Sequence, residues 1–184
     1  MYNNNLCIKK GVILILKRNN IWTIFLLCIS LSACGYRFAG SGSFPAGIKS
    51  VCIPILKNHT SEAGIENTIT NDLIYEVTRH DITVLSSKDK ADGILSGVIR
   101  SMTIEAITHK DPQTSSERRV TVTVNLKLTS RSGKVVWSTK GLSDYEEYDV
   151  MQNKLETEQN RRDAISTLSK RLAERVYNRL TDDF

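Results

Sequence analysis

The chain has 184 residues, a formal net charge of +5 and a mean hydropathy of −0.24, which suits one domain with a single core. The basic excess sits at the start: Lys9, Lys10, Lys17 and Arg18 fall in the first 33 residues with no acid, leaving 21 of the 25 basic residues beside all 20 acidic ones. A remainder of about +1 removes the charge argument for nucleic-acid binding.

The first element is an apolar block at residues 21–29, IWTIFLLCI, preceded by Lys17 and Arg18 and followed by small residues. A membrane-crossing helix needs about 20 apolar residues, so this block is too short to span; it has the layout of a secretory signal peptide. Leu31-Ser32-Ala33-Cys34 resembles the bacterial lipobox. That resemblance implies cleavage after residue 33, an S-diacylglycerol on Cys34 and an N-acyl chain on its new amine. Three acyl chains, at about 0.8 kcal/mol per buried methylene, exceed what stable anchoring takes. Cys7 and Cys28 leave with residues 1–33, and Cys52 then has no disulfide partner.

Residues 34–47, rich in glycine and serine, read as a lipid-anchored flexible tether, and residues 48–184 as a single α/β sandwich domain. Residues 50–56, SVCIPIL, place Val51, Ile53 and Ile55 on one strand face, with Pro54 marking an edge or an irregularity. Ile65, Ile69, Leu73 and Val77 recur every four positions and predict a helix over residues 64–79. Residues 82–85 predict a short strand. Next, strict alternation puts Ile94, Val98, Met102 and Ile104 on one side of an extended segment and Leu95 and Ile99 on the other.

The clearest pattern runs over residues 120–128. Val120, Val122, Val124, Leu126 and Leu128 alternate with Thr121, Thr123, Asn125 and Lys127, which predicts one face on a core and one facing water or a polar partner. RSGK at residues 131–134 predicts a hairpin into a strand continuing through DYEEYDV. Ile165, Leu168, Leu172, Val176 and Leu180 then mark a final helix from near Glu156. The fold class expected is α+β: a mostly antiparallel or mixed β-sheet with two α-helices packed on one face.

No catalytic or metal-binding pattern emerges. His59, His80 and His109 are scattered, Cys52 sits within a strand, and Glu146 and Glu147 are neighbours that a strand would point to opposite faces. The chain is therefore expected not to be an enzyme, with no cofactor beyond the lipid on Cys34. Lys110, Arg118 and Arg119 bracket a loop, and Lys154 precedes the last helix.

Taken in order, LSACGYRFAG, FPAGIKSVCIPILKNHTSEAGIENTITNDLIYEVTR, ADGILSGVI, RRVTVTVNLKL, GKVVW and ETEQNRRDAISTLSKRLAERVYNRL resemble the lipopolysaccharide-assembly lipoprotein family LptE. The resemblance implies a protein lipid-anchored on the periplasmic face of the outer membrane. It implies that the protein binds and plugs the LptD β-barrel, supports barrel assembly and helps deliver lipopolysaccharide to the outer leaflet. It further implies that basic residues near a loop tip, here Lys110 and Lys154, contact the lipid; Arg118 and Arg119, which bracket the same loop as Lys110, are expected to join them through the lipid's phosphates. The polar face of Thr121, Thr123, Asn125 and Lys127 suits a polar barrel lumen. The alternative reading is a periplasm-facing lipoprotein adaptor of similar fold that activates a peptidoglycan synthase or serves a secretion pore.

Overall fold

A computed structural model describes residues 44–107 and 116–182. The expected signal peptide, the expected lipidation site Cys34, His109 and Lys110 lie outside the described residues. In chain order the elements are β1 (Ser50–Cys52), β2 (Lys57–Asn58), α1 (Ile65–Arg79), β3 (Thr83–Val84), β4 (Gly93–Ile107), β5 (Glu117–Ser130), β6 (Val135–Asp149) and α2 (Lys154–Asp182).

The sheet runs β3-β1-β4-β5-β6, with β2 also pairing β4. Pairings of β1 with β3 and β4, and of β2 with β4, are parallel; β4–β5 and β5–β6 are antiparallel. The result is the mixed sheet of an α+β fold, dominated by three long antiparallel strands.

Both helices cover the same face. Ile65, Ile69, Leu73 and Val77 of α1, and Leu168, Leu172, Val176 and Leu180 of α2, are buried against Leu95, Ile99, Val120, Val122, Val124 and Leu128. Each fully buried aliphatic side chain contributes about 1.5–3 kcal/mol relative to exposure, so these stripes hold the two layers together. Ser169 Oγ donates to Asp72 Oδ2 at 2.5 Å and Arg161 meets Glu62 at 2.8 Å, tying one helix to the other and to the turn before it. The ends are capped locally. Asn153 Oδ1 accepts from the Leu155 N–H at 2.9 Å at the start of α2, and Glu66 Oε2 accepts from the Gly64 N–H at 3.2 Å before α1.

Three local expectations change. Pro54 ends the strand ladder early: Ile55 is 65% exposed, and Leu56 takes its place in the core at 2%. In β4 a bulge between Ile99 and Ser101 inserts one unpaired residue and flips the faces beyond it. Met102 and Ile104 therefore stand opposite Val122 and Val120, on the side of Leu95 and Ile99 rather than that of Ile94 and Val98. Finally, within the stretch read as tether, Phe44 is 2% exposed, packed with its ring centroid 6.2 Å from that of Tyr177. A 3-10 turn at Pro45–Gly47 leads from it into β1.

Candidate functional site: the open face of the sheet

Among the described residues the helices cover one side only, and the other side of β4, β5 and β6 carries no layer. Cross-strand partners share a face, so the register reads this surface directly. Ser101, Thr103, Thr121, Thr123 and Ser143 form a hydroxyl band across its middle: Ser101 opposes Thr123, Thr103 opposes Thr121, and Thr123 opposes Ser143. Thr121, Thr123 and Asn125 are half-buried and Lys127 is exposed, all on this open side as the alternation predicts.

Asn125 also has an internal task. Its Oδ1 accepts from the Gly141 N–H at 2.8 Å, where β6 bulges and Gly141 takes a φ of 66°. The side-chain amide thus replaces a ladder bond that the bulge removes.

The two ends of the face differ in charge. At one end Arg119 meets Glu147 at 2.6 Å and lies 4.6 Å over the Tyr145 ring, with Glu105 opposite Arg119 on β4. Hydrogen bonding to Glu147, chiefly, raises the Arg119 pKa above the ordinary guanidinium value. At the other end lies a groove of about 540 Å3, lined by Lys57, Lys127 and Lys140 around Gly97, Val98 and Val135. Among the described residues no ion pair involves any of these three lysines.

Of the basic residues grouped by sequence, Arg118 and Arg119 do not share a face. Arg118 and Arg119 are strand neighbours: Arg119 sits opposite Glu147 on the open face, while Arg118 sits opposite Tyr148 on the helix side. Lys154 is exposed at the start of α2. Since Glu117 pairs with Asp149, the starts of β5 and α2 lie at the same end of the sheet. Glu146 and Glu147 point apart as expected, but each is paired rather than merely solvated: Glu146 with Arg171 at 2.7 Å, Glu147 with Arg119.

Sequence reasoning passed over Lys57, Ser138 and Lys140, and read Val98 only as one side of an extended segment. Lys57 and Lys140 are 83 positions apart and carry no local pattern. Only the sheet brings them to one groove. Among the described residues no three His, Cys, Asp or Glu side chains gather as metal ligands would, and no helix is long and apolar enough to cross a membrane.

The model of the family LptE, described as lipopolysaccharide-assembly, matches residues 48–180. Among solved structures, a minor lipoprotein from Acinetobacter baumannii is similar at 14% identity and a TM-score of 0.51, covering 73% of this chain and 92% of that one. Lipoprotein B from Nitrosomonas europaea is similar at 14% identity and a TM-score of 0.55, covering 81% and 92%. At such identities the likeness to these structures is one of fold. Comparison with curated proteins finds no match.

Proposed function

The chain belongs to the lipopolysaccharide-assembly family LptE, and from that premise we propose that it is an outer-membrane lipoprotein, anchored through acylated Cys34. Its role is to dock in the lumen of an LptD-type β-barrel, plugging it, supporting its assembly and aiding delivery of lipopolysaccharide to the outer leaflet. The role is one of binding and placement rather than catalysis.

The observation that carries this reading is the uncovered polar face. Three long antiparallel strands leave a band of hydroxyls open, with Thr121 and Thr123 at its centre. An apolar face left open would favour aggregation or a greasy partner. A hydroxyl band instead suits a wet, polar wall, and a barrel lumen is such a wall. Lipopolysaccharide contact through Lys110, Arg118 and Lys154 belongs to the same proposal; Arg119 contributes less, because Glu147 already neutralises it.

The test is a mild-detergent pull-down of the tagged, lipidated chain from outer membranes, with mass identification of its companions. The expected result is a stoichiometric large β-barrel protein, depleted when Thr121 and Thr123 are both changed to bulky lysines. Recovery of a peptidoglycan synthase, or of no barrel, would overturn the reading.

A further inference from the structure

The three-lysine groove lies within the open face but differs from the rest of it in both shape and charge. Its rows can be followed through the register. Lys57 on β2 pairs with Val98 on β4, and Val98 with Asn125 on β5; Ser96 pairs with Lys127, and Lys127 with Ser138 on β6. Strands stand about 4.8 Å apart and residues rise about 3.4 Å along each, so Lys57 and Lys127, two strands across and two residues along, are rooted about 12 Å from each other. Lys140 stands two residues beyond Ser138, beside the Gly141 bulge. The lysines rim a floor of Val98, Val135 and the bare backbone of Gly97, and Val135 is 49% exposed.

From this we infer that the groove is an anchor socket for an acidic extended segment of the barrel partner, taking one apolar side chain on its floor and carboxylates against Lys57, Lys127 and Lys140. The inference rests on the barrel-docking reading above and deepens it. Charge complementarity carries the argument. Elsewhere on the open face the cation Arg119 already meets its anion, whereas these three meet none among the described residues.

The donor set also selects the chemistry. A compact phosphate is best held by forked guanidinium groups or by converging backbone N–H groups. Here the groove presents single ammonium charges, rooted on separate strands and divided by apolar floor, an arrangement that matches carboxylates spaced along a peptide. The opposite end of the face carries Glu105 and the Arg119–Glu147 pair, so an acidic segment is attracted to the groove end and repelled from the other. The groove therefore also fixes which way round the sheet lies against its partner.

The test places a photo-crosslinking amino acid at Ser138, on the groove, and separately at Thr121, at the middle of the face, in the full lipidated chain in its own outer membrane. The expected result is a Ser138 adduct to a barrel peptide that contains Asp or Glu beside an apolar residue. Its yield falls about tenfold in the Lys57→Glu, Lys127→Glu, Lys140→Glu variant and is kept in the matching arginine variant, with the thermal melt unchanged in both. A Thr121 adduct to the barrel without one at Ser138 overturns the socket and leaves barrel docking intact. So does a lipid adduct at Ser138, or a barrel adduct there that charge reversal does not weaken. Absence of any barrel adduct from both positions overturns the docking reading and the socket with it.

Discussion

Arg171 on α2 donates from Nε to Asp144 Oδ2 on β6 at 2.8 Å and from Nη1 to Glu146 Oε2 at 2.7 Å, while its Nη2 reaches the Tyr145 carbonyl. Arg175 adds a bond to the Ser143 carbonyl at 3.0 Å, and Asp144 Oδ1 accepts from the Tyr145 N–H at 2.9 Å. β6 is the last strand of the sheet, so these side chains occupy backbone groups that a free edge would offer to another chain. The structure thus gives two arginines of α2 a strand edge to cover.

Replacing Arg171 with Ala leaves Asp144, whose side chain is only 7% exposed, without its main partner. Arg171 itself is 41% exposed, so solvent screens part of the interaction. A loss of about 2 kcal/mol in urea unfolding is expected, within the range for hydrogen bonds to charged groups. The double variant Arg171→Ala, Arg175→Ala should in addition self-associate, which light scattering over a concentration series would reveal. A double variant that stays monomeric would show that the edge needs no such cover.

Gly97 allows β4 and β5 to approach closely. A Cβ placed there meets the Asn125 carbonyl oxygen and Leu126 Cδ2, both at 2.4 Å. Backbone on one side cannot yield as a flexible side chain would. Gly97→Ala should therefore destabilise by about 1–3 kcal/mol, in the manner of overpacking, measured as a lower denaturation midpoint. Gly133→Ala tests a different cause, since nothing crowds it and only its φ of 84° resists a side chain.

Phe44 is part of the core of the domain. Its ring is 2% exposed and packs on Tyr177, which itself stacks on His80 with ring centroids 3.9 Å apart. Phe44→Ala should cost about 3–5 kcal/mol, a large part of the stability of a domain this size. A chain starting at residue 48 should melt correspondingly lower than one starting at residue 44. Equal melting temperatures would return residues 44–47 to the tether.

Asp92 gives the fold an acid dependence. Its Oδ2 accepts from Ser50 Oγ at 2.7 Å and from the Ser50 N–H at 3.1 Å, and chiefly the hydroxyl bond lowers its pKa below the ordinary aspartate value of 3.8. The unfolded chain then takes up this proton at higher pH than the folded one. The contribution is full above that ordinary value and is lost as pH falls through the lowered folded one. Asp92→Asn should accordingly be less stable than wild type at about pH 6, with the gap narrowing towards about pH 3. A gap that is constant across this range would exclude the carboxylate as its source.

Much of the architecture was legible in the chain itself, for a specific reason: periodicity is a local property. The alternation from Val120 to Leu128 and the four-residue recurrence of Ile65, Ile69, Leu73 and Val77 each bury a face that neighbours in sequence define. The polar residues Thr121, Thr123, Asn125 and Lys127 follow from the same alternation, and so does the open face they line. The fold class follows in turn, because two one-sided helices and a one-sided sheet have few ways to hide their apolar stripes.

What the chain did not disclose depends on partners distant in sequence. The bulge after Ile99 is visible only once β5 supplies the register, and it moves Met102 and Ile104 to the other face. Leu56 replaces Ile55 because the chain takes five residues from Cys52 to Lys57 where its neighbour β4 takes four from Ile94 to Val98, a slip of one residue that turns the alternation over. Phe44 is core because Tyr177, 133 positions later, is there to receive it. The same holds for Lys57, Lys127 and Lys140: charge on a side chain is written in the sequence, but a charged groove exists only where strands from separate parts of the chain set those side chains side by side.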